Sequence, residues 1–232
     1  MILYRTARRA PETHELILET AGRMFARKGF RATTVRQITR EAGVNVASVN
    51  YYFHDKQELY VRVLQRAHQA AAHTARADRA GTPQKRLQAF IQGFLGYLFD
   101  PERPAWQGRL LAREMAEPSP ALDRLVTESV LPVKQRLAGI IRDLLGPDAT
   151  EAQMRKTAFS ILGQCLYYVH CQEITKRLFP SDPRETQDVG LLADHIFHFS
   201  LGGITALRRQ IQSKSSSKHH LPLSKNKRRK TL

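Results

Sequence analysis

Cysteine is scarce in this 232-residue chain: Cys165 and Cys171 are the only two, which excludes a disulfide-stapled scaffold. They stand six residues apart on what reads as one helix, on different faces and too far along its axis to bridge, so two buried free thiols are expected. No apolar run approaches the roughly 18 residues that a spanning helix needs, which speaks against an integral membrane protein. The opening Met1-Ile2-Leu3-Tyr4-Arg5 lacks the order of a secretory signal, so the expected location is cytoplasmic. No segment alternates apolar and polar residues between hairpin turns, so no strands are expected. A Gly-rich phosphate loop, a nucleophile elbow, an HExxH pair and a paired-cysteine motif are all missing, and with them any residues to support an enzyme, a metal site or a cofactor. Acidic residues are also few: 21 Asp and Glu face 37 Lys and Arg, a formal net charge of +16. That surplus fits a polyanionic partner, most simply nucleic acid, with an acidic membrane surface as the other candidate.

What the chain does have is apolar residues at three- and four-residue spacing almost throughout, the pattern of an all-α protein. Its breaks divide it. A first helix is expected from Thr13 to Lys28, stopped by Gly29, then two short helices and a long one from Lys56 through Ala77 to Gly81-Thr82-Pro83. Pro83 opens the next helix, which ends at Asp100-Pro101. Further helices are expected over Trp106–Ala116, Ala121–Leu145 with a kink at Pro132, Glu151–Leu178, and Arg184–Ile211. From Ser213 the chain has too little apolar surface to fold and reads as a flexible basic tail. Its seven positive charges leave +9 of the +16 on the folded part. The tail either adds nonspecific nucleic-acid affinity or is a solvated end. The expected organisation is therefore a small N-terminal domain over residues 1–60, a connecting helix over 61–80, a helical bundle over 81–212 and the tail over 213–232.

Three helix starts follow one another between residues 33 and 58. Thr34 with Gln37 is a capping box, Gly43 supplies a left-handed turn after Ala42, Asn45 caps a second short helix, and Asp55 with Glu58 is a second box. Helix, tight turn, helix results, the geometry that lays a second helix in the major groove of DNA. Val35, Ile38, Ala42, Val44 and Val49 supply the packing side, and Arg36, Ser48, Asn50, Tyr52, His54 and Lys56 are left for the DNA side. The alternative is a solvated pair of short helices in an unrelated bundle.

Thr33-Thr34-Val35-Arg36-Gln37-Ile38-Thr39-Arg40-Glu41-Ala42-Gly43-Val44, followed by Val49-Asn50-Tyr51-Tyr52-Phe53-His54-Asp55-Lys56-Gln57-Glu58-Leu59-Tyr60, resembles the signature of the TetR family. Asn50 departs from the Tyr common there. Asn50-Tyr51-Tyr52-Phe53, together with Leu110-Leu111-Ala112-Arg113-Glu114-Met115-Ala116-Glu117-Pro118, resembles the CecR-like branch. The resemblance implies an all-α, homodimeric transcription regulator, usually a repressor, with a three-helix DNA-binding domain and a C-terminal domain for dimerisation and ligand sensing. It implies that Arg36 reads a guanine edge and that Val46, Ala47, Ser48, Asn50 and Tyr51 face the groove. Thr34, Tyr52, His54 and Lys56 would hold phosphates. The implied partners are a palindromic double-stranded operator, a second copy of the chain across helices 151–178 and 184–211, and a small-molecule effector. A nonspecific architectural DNA-binding protein is the rival reading.

Polar or aromatic residues on otherwise apolar helices are the candidates for the effector site: Trp106, Arg109, Glu114, Tyr167, His170 and Cys171, with Tyr168 beside them. Each has a structural alternative. The tyrosines could be core or interface residues, and Arg109 with Glu114 could be an ion pair. His195 and His198 with His170 and Cys171 could suggest a metal, but structural histidines are the simpler reading.

Overall fold

The computed structural model describes residues 10–74, 81–180 and 188–219. The described elements are all helical: α1 (Ala10–Ala32), α2 (Val35–Ala42), α3 (Val46–Phe53), α4 (Lys56–Thr74), α5 (Pro83–Leu98), α6 (Ala105–Ala116), α7 (Leu122–Leu125), a π-turn (Val126–Val130), α8 (Leu131–Leu145), α9 (Glu151–His170), α10 (Gln172–Leu178) and α11 (Val189–His219).

Four boundaries differ from expectation. Gly29 takes φ 81°, but the helix resumes and reaches Ala32. In place of a kink at Pro132, the chain widens into the π-turn just before it. Proline has no N–H to give the carbonyl four residues back, and the wider turn takes up that missing bond. The single helix expected over 151–178 is two, because Cys171 leaves helical dihedrals at φ −101°, ψ 12°. Cys171 is therefore half-buried at a helix end, whereas Cys165 is buried, and burial pushes its thiol up to about 12. Finally, α11 runs past Ser213 into the expected tail, where Ser213 and Ser216 hydroxyls donate back to the Gln210 and Gln212 carbonyls, each at 3.0 Å. The rest of the tail, from residue 220, lies outside the described residues, as do 75–80 of the expected connecting helix and the expected start of the last helix at Arg184.

The chain divides into two compact units, and they do not follow the sequence order. One comprises residues 1–77 and 93–136, the other 78–92 and 137–232, so α6 and α7 belong with α1 to α4. The first unit has a core of Ile17, Phe25, Ile38, Val49, Phe53 and Leu64, joined by Trp106, Leu110 and Leu125 from the later helices. Each such burial stabilises by about 1.5–3 kcal/mol. Trp106 explains why α6 is there. Its ring lies on Gly22 of α1, so close that a β-carbon at Gly22 would stand 2.6 Å from it. Its indole N–H donates to Glu19 at 2.8 Å. Glu114, 1% exposed, accepts from the Tyr60 hydroxyl at 2.7 Å and from the Ser119 N–H and hydroxyl at 2.9 and 2.8 Å. Burial and the facing carboxylate push the Tyr60 phenol upward.

In the second unit, Leu137, Ile140 and Ile141 of α8, Met154 and Ile161 of α9, and Leu192, Ile196 and Ile204 of α11 are buried. Thr150 and Gln153 form a reciprocal capping box for α9, and the Asp188 carboxylate accepts from the Gly190 and Leu191 N–H groups at the start of α11. A cleft of about 280 Å³ runs between α9 and α11, floored by Ile161 and Ile204 and edged by Ser160, Gln164, Phe199 and Gly203. Phe159, Leu191 and Phe199 remain exposed at 65%, 58% and 67%.

Trp106→Ala is expected to destabilise the first unit by about 3–5 kcal/mol, and Trp106→Phe by much less, read by urea denaturation. Glu58 supplies a pH test. Hydrogen bonding from Arg124 is the main reason its carboxyl sits below the ordinary carboxylate range. A depressed carboxylate contributes stability at pH above its unfolded value, near 4.3, that is lost as pH falls through the folded value. Arg124→Ala is therefore expected to lower Tm at neutral pH and to change it little at low pH, so that the rise of the Tm-versus-pH profile through the carboxylate range becomes shallower.

Candidate nucleic-acid interface

The α2–turn–α3 segment is set by side chains reaching free backbone groups. Thr34 Oγ1 accepts from the Gln37 N–H at 3.2 Å, and the Gln37 amide oxygen accepts from the Thr34 N–H at 3.1 Å. Gly43 turns the chain at φ 64°, ψ 35°, and the Val44 N–H reaches back to the Thr39 carbonyl at 3.0 Å. Asn45 Oδ1 accepts from the Ala47 N–H at 2.8 Å and opens α3. The second expected box is made by half: Asp55 accepts from the Glu58 N–H at 2.8 Å. The Glu58 carboxylate turns instead to Arg62, at 2.9 Å, and to Arg124. A guanidinium is a stronger partner than a backbone N–H, so the ion pairs take the acid away from the cap.

The two faces separate by helical period. Ile38, Ala42 and Val49 are buried and Val35 and Val44 half-buried. Thr34, Arg36, Val46, Ala47, Asn50, Tyr51 and His54 are exposed, and Ser48, Tyr52 and Lys56 half-buried. Tyr51 is 78% exposed, the least covered of the large apolar side chains among the described residues, on a helix whose other face is fully packed. His54 ends α3 at φ 62°, the one positive φ outside glycine among the described residues, and its N–H donates to Asn50. A side chain in that region is disfavoured, so the surrounding packing imposes it.

Two supporting residues were invisible in the motif. His14 of α1 stacks on Phe53 at 4.8 Å and meets Tyr52 edge-on at 5.7 Å, bracing the end of α3. Phe30 lies under Lys56, whose ammonium is 4.4 Å from the ring centroid, and partial burial lowers the Lys56 pKa. No local spacing signals either contact, because each joins residues far apart in the chain.

The six effector candidates fall in two units. In the first, Trp106 and Glu114 use their polar atoms on the protein partners described above, and Arg109 is exposed. In the second, Tyr167 and His170 are exposed near the end of α9 and Cys171 follows them half-buried, with Tyr167 edge-on to Tyr168 at 6.1 Å. His198 lies 3.3 Å from Asp194, and His195 stacks on Phe199. Among the described residues no group of three His, Cys, Asp or Glu side chains could hold a metal. Among them, too, no helix is long and apolar enough to cross a membrane.

A capped helix-turn-helix that offers the outer face of its second helix has the geometry of a DNA-reading domain. The comparisons with known proteins agree. Residues 17–63 match the family described as bacterial regulatory proteins, tetR family, and residues 83–204 match the C-terminal domain of the HTH-type transcriptional dual regulator CecR. The chain belongs to the TetR family. It is 36% identical over 76 residues to the HTH-type transcriptional regulator TtgR of Pseudomonas putida, covering 33% of this chain and 36% of that protein. It is 25% identical over 164 residues to CecR of Shigella flexneri, covering 66% of this chain and 73% of that protein. The match thus spans only about a third of the length of TtgR. In fold it is similar to a TetR-like transcriptional regulator from Rhodococcus sp. RHA1, with a TM-score of 0.56 at 19% identity over 86% of this chain and 98% of that one.

Removing either local device is expected to cost stability without touching the core: about 1 kcal/mol for Thr34→Ala and about 1–2 kcal/mol for Gly43→Ala, measured by urea denaturation.

Proposed function

We propose that the protein is a cytoplasmic, sequence-specific transcriptional repressor that binds a palindromic operator as a homodimer and is released by a small-molecule effector. The observation that carries this reading is the exposed outer face of α3, held by the caps at Thr34 and Asn45 and the turn at Gly43, in a chain of net charge +16. Arg36 reads a guanine edge. Val46, Ala47, Ser48, Asn50 and Tyr51 face bases or sugars, the small residues letting α3 sit deep in the groove. Thr34, Tyr52, His54 and Lys56 hold phosphates and fix the register. The two recognition helices of a dimer are then about one DNA turn apart, roughly 34 Å.

The exposed apolar residues Phe159 and Tyr167 on α9, with Leu191 and Phe199 on α11, support dimerisation through these two helices. Gly163 on α9 and Gly202 and Gly203 on α11 leave room for a close helix from the partner. An isologous four-helix interface uses the same patch on both subunits. An effector that favours a state with a different reading-head spacing lowers operator affinity by no more than its differential affinity for the two states.

Fluorescence anisotropy on DNA from the gene's own upstream region and on a shuffled duplex, at physiological salt, tests this reading. A preference of about a thousandfold is expected. Equal, steeply salt-dependent binding to both duplexes, repeated on DNA selected from a random pool, would identify a nonspecific architectural protein instead. Lys56→Ala is expected to weaken both duplexes alike and reduce the salt slope by about 1, whereas Arg36→Ala relaxes sequence preference.

A further inference from the structure

Within the first unit, the Arg103 guanidinium has only neutral hydrogen-bond acceptors, and a buried nitrogen close to it has no partner. Arg103 sits on the short stretch between α5 and α6, flanked by Pro101 and Pro104. Its guanidinium lies 4.3 Å over the Tyr97 ring. It donates from Nη2 to the Ala67 carbonyl and from Nε to the Gln107 amide oxygen, both at 3.2 Å. These acceptors are neutral. Among the described residues Arg103 has no carboxylate within 4.0 Å, whereas Arg62, Arg66, Arg113 and Arg124 of the same unit each pair with a glutamate. Next to Ala67, His68 has its Nδ1 buried and without a hydrogen-bond partner. Burial, and then the Arg103 charge, lower the His68 pKa, so the ring is held neutral. An unpaired buried polar atom is costly, and one beside a cation with only neutral acceptors calls for an explanation.

We propose that the junction of α4 with the start of α6 binds a small organic carboxylate, anchored by the Arg103 guanidinium and by the His68 Nδ1–H. One ligand oxygen takes the guanidinium and the other accepts from Nδ1, so a single monoanion completes both groups. Binding also has a structural consequence. Arg103 drawn onto a ligand loosens its bonds to Ala67 and Gln107, and Gln107 adjoins Trp106, which ties α6 to α1. Only this consequence rests on the reading of the protein as an effector-released regulator.

Trp106 is the sole tryptophan and adjoins Gln107, which accepts from Arg103, so its fluorescence is a nearby reporter of binding. The full-length protein is titrated with benzoate, octanoate, the neutral isostere benzamide and inorganic phosphate, with Tm read in parallel. A saturable Trp106 response and a raised Tm are expected for at least one carboxylate, with benzamide and phosphate at least tenfold weaker. Arg103→Gln and His68→Phe are each expected to weaken the carboxylate at least tenfold, while Arg103→Lys retains part of the affinity and serves if the glutamine variant does not fold. No saturable response to either carboxylate, benzamide or phosphate binding as tightly as the carboxylate, or unchanged affinity in both the Arg103 and His68 variants would overturn the site. Operator anisotropy with and without the carboxylate separates the two readings. Binding without release of DNA retains the site and removes the effector role, and absence of specific DNA binding removes the regulator reading alone.

Discussion

A carboxylate at the centre of a folded unit is tolerated only when its oxygens are supplied with donors, since an ion left bare in the interior costs several kcal/mol. Glu114 meets that condition with three donors from two directions, the Tyr60 hydroxyl from α4 and the backbone and hydroxyl of Ser119 from its own end of α6. Because the donors cannot be replaced by water once the site is closed, α4 and α6 are held in one register. Trp106 adds the second constraint, since its ring fits only against a residue without a β-carbon. The helix-turn-helix is thus built on a platform that includes a helix fifty residues further along the chain.

That platform is what the sequence order concealed. Local devices were legible because their physics is local: the Thr34–Gln37 box, the Gly43 turn and the Asn45 cap all lie within three or four residues of what they satisfy. The break at Cys171 was not, because no glycine or proline marks it, and Pro132 signalled a disturbance without showing that it takes the form of a π-turn. The long-range partners were also invisible. Glu58 satisfies the pattern of a capping box, yet Arg124, 66 positions away, takes its carboxylate.

The same limit governs the candidate sites. On α3 the period of the buried residues alone sorts inside from outside, so the exposed set follows from the sequence almost residue by residue. The effector candidates were chosen by a weaker criterion, a polar or aromatic group on an apolar helix. That criterion finds side chains needing a partner but does not say whether the partner is a ligand or the protein. For Trp106 and Glu114 it is the protein. His68 and Arg103 drew no notice, because a histidine in a helix and an arginine in a proline-flanked turn look solvated until burial and partners are known.

The ties between α4 and the later helices of its unit differ in kind, and the difference decides where the unit can give. Arg124 with Glu58 and Gln65 with Glu128 lie at or near the surface, where such pairs contribute little and exchange readily with water. Tyr60 with Glu114 is buried and cannot open without exposing a carboxylate to an apolar surrounding. Two turns further along α4, the Ala67 carbonyl accepts from the Tyr97 hydroxyl, a neutral bond of about 0.5–1.5 kcal/mol, and from the charged Arg103 guanidinium, a stronger one. Within this unit the buried Tyr60–Glu114 contact is therefore the tie that resists opening, while the surface pairs exchange most readily.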